Sequence, residues 1–219
     1  PDGSGQYLDD TAALGHRRLS IIDLEGGKQP MENEDGSIVC VFNGEIYNYQ
    51  HLREELLAAG HTFATHSDTE VLVHGYEQWG EEMLPRLRGM FSFAIWNKAE
   101  KKLFCARDFF GIKPFYYYEK EGLFLFGSEI KSFLAHPGFE KKLNRSQLEL
   151  YLTFQYSPGE ATFFEGVEKL LPAHCLTWQD GKTTIRRYWQ PEFEPDQAPT
   201  LGQWEEKVEA VVKDTGAAP

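Results

Sequence analysis

The sequence predicts an α+β fold in which two mainly antiparallel sheets stack face to face and helices cover their outer faces, a four-layer αββα sandwich. Three observations lead there. Amphipathic helical patterns occupy residues 48–80, and four strand-like runs joined by short turns follow between residues 90 and 128. Those runs are apolar on both faces, which a sheet with one wet side does not require.

The first strand expected is SIVCVF, residues 37–42, a nearly continuous apolar run of the kind buried on both faces. NYQHLREELLAAG reads as a helix with Leu52, Leu56 and Leu57 on its inner side and Gly60 as its stop. Ser67-Asp68-Thr69-Glu70 has the S-x-x-E form of a capping box. It opens a helix whose Val71, Leu72, Gly75, Tyr76 and Trp79 share a face, closed by Gly80. EEMLPRLRG reads as one more short helix. MFSFAIW, KLFCARD, PFYYY and LFLFGS are the four strands, with NKAEK, FFGIK and EKEG as turns. Their order implies antiparallel hairpins rather than βαβ units. Residues 146–154 read as a helix and residues 162–188 as further strands and turns. After Trp189 the composition turns to QPEFEPDQAPT, a Pro- and acid-rich linker. LGQWEEKVEAVVKD then reads as a helix leading toward another domain, so residues 1–189 form the domain and residues 190–219 a linker and the start of a second one. TGAAP reads as a frayed end.

A formal net charge of -12, without a basic stripe, excludes a nucleic-acid partner. No polybasic run and no long apolar stretch points to a membrane. Cys40, Cys105 and Cys175 are widely spaced in apolar contexts and read as small buried hydrophobes, with no zinc site expected. That usage fits a reducing, cytoplasmic setting. The opening PDGSG reads as a turn and carries no signal-peptide features, so an earlier natural start is expected.

Three polar segments exceed what a core needs. GHRRLSIID places two arginines before an apolar run, where an Arg can grip a carboxylate through paired hydrogen bonds; an ordinary surface pair is the other reading. In FNGEIYN, Asn43-Gly44 after a strand reads locally as a hairpin turn. Yet a Glu and a helix follow, so the Asn amide and the Gly N–H can instead form an oxyanion hole, with Glu45 beside them for an ammonium group. Asp68 is either a carboxylate favoured by the helix dipole or a second ammonium partner. One cation, two anions and an oxyanion hole suit a free α-amino acid with a reactive side-chain amide.

GHRRLSIIDL, QPM, FNGEIYNY, HSDTEV, LRGMFSFAIW, ARDFFGIKPFYYY and GSEIKSF, in that order, resemble the glutaminase domain of glutamine-hydrolysing asparagine synthetases, a class II glutamine amidotransferase of the N-terminal nucleophile hydrolase type. The resemblance runs from Pro1 to about Trp189. It implies the αββα sandwich and L-glutamine as ligand. Arg18 would bind the α-carboxylate, and Leu19, Ser20, Ile21 and Ile22 would line that pocket. Asn43 and Gly44 would form the oxyanion hole, and Glu45 and Asp68 would hold the α-ammonium. No metal or cofactor is expected in this domain. ATP and Mg²⁺ would belong to a covalently linked synthetase domain that amidates aspartate, and a homodimer is left open.

The family's nucleophile is an N-terminal cysteine whose own amino group is the base. It would lie about 30 residues upstream of PDGSG. None of the three cysteines is near a terminus and Ser4 has no visible activating base, so this stretch alone is expected to be inactive. A glutamine-binding or structural module that never had a nucleophile, or the same domain of a synthetase with another acceptor, are the competing readings.

Overall fold

The centre of the molecule is β4 (Ile38–Ile46), whose residues Ile38 to Phe42 are all buried. Strand alternation sends Ile38, Cys40 and Phe42 into one core and Val39 and Val41 into another, so this strand divides the two main hydrophobic layers. The computed structural model describes residues 3–18, 26–195 and 198–216. Around β4 runs a six-stranded sheet in the order β11 (Lys182–Arg187), β10 (His174–Gln179), β6 (Lys102–Arg107), β5 (Gly89–Asn97), β4 and β3 (Met31–Glu32). A three-stranded sheet of β8 (Leu123–Gly127), β7 (Tyr116–Lys120) and β9 (Val167–Lys169) supplies Tyr117 to the core beneath Val39 and Val41. Every ladder among the described residues is antiparallel.

Helices α1 (Tyr49–Ala58) and α2 (Asp68–Trp79) cover the outer face of the larger sheet. Leu52 and Leu56 of α1 are buried, but Leu57 is 43% exposed, contrary to the sequence reading. Position 56 follows 52 by about 40° around a helix and position 57 by about 140°, so the two leucines cannot share a face. α2 is buried continuously from Asp68 to Tyr76 rather than on one stripe, because it lies between the sheet and neighbouring helix and loops. The capping box is modified. Ser67 Oγ accepts from Thr69 N–H at 3.2 Å, whereas Glu70 reaches past Ser67 to accept the Ala64 and Thr65 N–H groups at 2.6 and 2.8 Å. The 80–86 segment forms a 3₁₀ helix, Gly80–Arg86.

The other outer face is covered differently. The 3₁₀ helix Ile130–Ala135 contributes buried Phe133 beside Tyr118 and Val167. α3 (Ser146–Phe154) forms where the sequence places it, but it buries only Gln147 and leaves Leu152 73% exposed. α4 (Leu201–Gly216) touches the body through an exposed Arg88–Asp214 ion pair of 3.2 Å.

The chain passes between the sheets at residues 107–115. Asp108, 1% exposed, accepts the backbone N–H groups of Phe91 (3.3 Å), Phe110 (3.1 Å), Ile112 (2.9 Å) and Lys113 (2.9 Å). Its neighbour Arg107 donates to the carbonyls of Lys113, Leu170 and Gly111 at 2.7, 2.7 and 2.8 Å. An anion thus collects the loop's donors and a cation its acceptors, which fixes the crossing although the Phe110 and Ile112 side chains stay exposed. Gly111 sits at φ +67, and a Cβ there would lie 2.7 Å from the Pro172 ring.

The amino-terminal hairpin pairs β1 (Gly3–Leu8) with β2 (Ala13–Arg18). The PDGSG turn of the sequence reading is therefore strand from Gly3, and the arginine pair ends β2, the apolar run after it lying outside the described residues. Asp9 fastens the hairpin to the larger sheet. It accepts from Tyr7 Oη (2.8 Å), Thr11 N–H (2.7 Å), Ala12 N–H (2.6 Å) and Trp96 Nε1 (2.8 Å). Burial works against its charge, but these donors prevail and hold the carboxyl down at about 2.

Candidate functional site

The site residues gather along one edge of β4. β5 pairs with β4 over its whole length, from Ile38↔Asn97 to Ile46↔Gly89. Asn43-Gly44 is thus no turn. It lies within a strand, because nine ladder positions outweigh the local turn preference of the dipeptide. On the opposite side β3 pairs only with Val39 and Cys40, and the edge beyond is met by side chains. Phe42 N–H donates to Gln29 Oε1 at 2.6 Å, and Ile46 N–H donates to Asp68 Oδ2 at 3.1 Å. Phe42 C=O takes a hydrogen bond from His16 Nε2 at 3.0 Å. Because a carbonyl only accepts, His16 Nε2 carries the proton. Burial above all, with the charge of Arg18 added and the Phe42 hydrogen bond working against them, holds that ring below its ordinary pKa.

Phe42 and Ile46 therefore turn their backbone groups away from β5. By the two-residue alternation Gly44, between them, does the same. Glycine is required here, since a Cβ at φ +153 would lie 2.0 Å from Met90 O. Beside it, Asn43 Nδ2 donates to Ser128 Oγ at 3.1 Å, which ties the oxyanion candidate to the end of β8.

Asn43 and Glu45 share the face of Val39 and Val41, toward the second sheet. Asp68 approaches from the other side, as the first residue of α2. It is 5% exposed, and its carboxyl is pushed above the usual range chiefly by burial, with the charge of Glu45 adding to the rise. Among the described residues neither Glu45 nor Asp68 forms an ion pair with Lys or Arg. Two neighbouring carboxylates without a cation are a place for a positive ligand.

Arg18 ends β2, half-buried, two residues beyond His16 and near enough to act on its ring. The structure thus brings Arg18, Asn43, Gly44, Glu45 and Asp68 to the neighbourhood of β4 residues 42–46. Leu19, Ser20, Ile21 and Ile22 lie outside the described residues. Two open surface depressions lie elsewhere, one along residues 187–192 and one between Ile38, Tyr76 and Lys102. Sequence reasoning gave no role to His16, Gln29 or Ser128. Each sits inside a quoted motif, and the signal available was a polar residue in a segment otherwise read for its charges. Cys40, Cys105 and Cys175 are free and buried as expected, and burial raises all three thiols, so none is a reactive nucleophile.

Residues 1–189 match the family described as the glutamine amidotransferase domain. The chain belongs to that family. As a glutamine amidotransferase domain it is 42% identical over 198 residues to "Asparagine synthetase [glutamine-hydrolyzing] 3" of Bacillus subtilis (strain 168), covering 89% of this chain and 32% of that protein. "Asparagine synthetase [glutamine-hydrolyzing] 1" of the same organism is 44% identical, covering 90% and 31%. "Amidase chry2" of Gibberella zeae is 36% identical over 218 residues, covering 96% and 31%. The chain spans about a third of the length of these relatives. Among solved structures, the glutamine phosphoribosylpyrophosphate amidotransferase of Bacillus subtilis superposes with TM-score 0.57 at 21% identity, over 82% of this chain and 35% of that one, and shares the fold. The α+β sandwich of mainly antiparallel sheets expected from sequence is the one observed. No helix among the described residues is long and apolar enough to cross a membrane.

Proposed function

We propose that this chain is the glutamine-binding and oxyanion-stabilising part of a glutamine-hydrolysing asparagine synthetase. Arg18 takes the α-carboxylate of L-glutamine, while Glu45 and Asp68 take its ammonium. Asn43 Nδ2 and the Gly44 N–H stabilise the negative oxygen that develops when the side-chain amide is attacked. The observation that carries this reading is the outward-turned Gly44 N–H beside the Asn43 amide, with two carboxylates close by that form no ion pair with a described Lys or Arg.

The nucleophile is a cysteine from a segment outside the 219 residues, since the three cysteines here are buried. β8 supports this. It pairs only with β7 among the described residues, and Ser128 at its end meets Asn43, so a strand laid along its free edge would end beside the oxyanion pair. The thiolate adds to the amide carbon, ammonia leaves with a proton from the cysteine's own ammonium, and water hydrolyses the thioester to glutamate. Residues 190–219 lead into a synthetase domain, where ATP and Mg²⁺ activate aspartate for the released ammonia. A cytoplasmic enzyme is the corresponding setting. The similarity to an amidase over 96% of the chain favours, as a second reading, an acceptor other than aspartate. Acceptor assays on the longer protein distinguish the two.

The test is kinetic. In the longer protein, Arg18→Ala should raise the glutamine KM by the equivalent of roughly 2–3 kcal/mol, one charge-assisted carboxylate contact. Asn43→Ala should lower kcat by about 10²–10³ with little change in KM. An Arg18→Ala enzyme with an unaltered KM overturns the pocket.

A further inference from the structure

We propose that His61, His74 and Glu77 form a binding site for one divalent transition-metal ion of the zinc type. The site is separate from the β4 edge and departs from the expectation of no metal, which rested on the cysteines and on the family resemblance. His61 follows the Gly60 stop of α1, its N–H bonded back to Leu56 O at 3.0 Å. His74 and Glu77 stand one turn apart on α2. One ligand atom from each of the three lies within 4.8 Å of the others. Glu77 Oε2 is 2.8 Å from His74 Nδ1 and 3.8 Å from His61 Nδ1. Ligand atoms about 2.0–2.1 Å from a tetrahedral zinc ion stand roughly 3.3 Å apart, so these separations bracket the required one.

Outer contacts already orient the ligands. Glu77 Oε1 accepts from Asn33 Nδ2 at 2.7 Å, so Oε2, now hydrogen-bonded to His74 Nδ1, is the oxygen that would turn to the ion. His74, 2% exposed, turns its other nitrogen toward Glu70 Oε1 at 3.7 Å, the carboxylate–histidine relation common behind metal ligands. Glu70 is itself fixed by the Ala64 and Thr65 N–H groups. The His61 side chain is 18% exposed and the Glu77 side chain 24%, so the site opens to solvent on one side, where water or Glu34, held by Thr62 Oγ1 at 3.0 Å, completes the set. Two imidazoles and a carboxylate suit Zn²⁺ over Mg²⁺ or Ca²⁺. A bound ion would clamp residues 61–67, the approach to Asp68, against α2.

The experiment titrates chelator-treated protein with Zn²⁺ by calorimetry and with Co²⁺ by its visible ligand-field absorption. One saturable equivalent per chain and a tetrahedral Co²⁺ spectrum are expected. His61→Ala and Glu77→Gln should each weaken binding on the order of 100-fold, whereas His51→Ala, removing an exposed histidine of α1, should not. No saturable uptake, binding that His51→Ala abolishes, or full affinity in His61→Ala would each overturn the site. His61→Gln repeats the arm should the alanine variant fail to fold. None of these readouts depends on glutamine chemistry.

Discussion

Asp108 and Asp68 are both buried, at 1% and 5% exposure, and both bond a backbone amide at the rim of the central sheet. They differ in what remains to be satisfied. Asp108 accepts four amides from two segments and has Arg107 beside it. Among the described residues Asp68 accepts Ile46 N–H from the strand and amides at the start of its own helix, and the charge of Glu45, on the other face of β4, acts against its own. A carboxylate saturated by its own fold is an element of construction. One left short of donors, beside another negative charge, has capacity over for a ligand.

The largest effect should come from breaking the saturated member. Asp108→Ala removes the acceptor of four N–H groups, the Phe91 one buried and the other three half-buried, and each bond to the carboxylate contributes about 1.5–3 kcal/mol. The sum rivals the roughly 5–15 kcal/mol that holds a whole domain folded. Soluble folded protein should be lost, and a variant with a denaturation midpoint within experimental spread of the parent would show that the crossing has another support.

Gly44→Ala should come second. Its Cβ would enter the Met90 carbonyl at 2.0 Å and the Phe91 Cα at 2.8 Å, and backbone on both strands cannot move aside cheaply. A loss of about 2–4 kcal/mol is expected in urea unfolding. An alanine tolerated within about 0.5 kcal/mol would mean that β4 and β5 approach less closely there.

The contrast also marks how far sequence reaches. β4, β5, β6, β7 and β8 were legible because each carries apolar residues on both faces between polar turns, and the helix over 146–154 was legible to the residue. The two main helices were legible in place but not in detail. Leu57 was counted inward by composition rather than by angle, and Glu70 was assigned to Ser67 because a capping box is local while the 64–65 loop that captures it is not. Asn43-Gly44 was ambiguous for the same reason, and only pairing with β5 decides it. Arg18, Asn43, Glu45 and Asp68 were legible as residue types, and their roles came from the resemblance of whole motifs. Asp108 stands in the sequence only as the last residue of the KLFCARD strand run. Its function depends on where four amides point, which no spacing encodes. His61, His74 and Glu77 do not stand out in the sequence because the i, i+3 pair on α2 meets a residue of the loop after α1 only once the two segments pack.

Asp68→Asn sharpens the comparison most finely, since the substitution keeps the shape and an oxygen for Ile46 N–H while removing the charge. Burial and Glu45 raise the Asp68 carboxyl in the folded state. For a raised group, the stability it contributes is complete below its unfolded value, near 4, and is lost as pH climbs through the higher folded value. At neutral pH the charged Asp68 therefore weighs against folding, with a partial offset of about 0.3–1 kcal/mol from the helix dipole. The variant should then match or exceed the parent in Tm at pH 7, within about 1 kcal/mol, and the advantage should vanish on acidification past the raised value. In the longer protein the same change should weaken glutamine about 10- to 100-fold, one charged hydrogen bond to its ammonium. A variant that instead unfolds as readily as Asp108→Ala would place Asp68 among the construction carboxylates, and glutamine would have to find its cation partner in Glu45 alone.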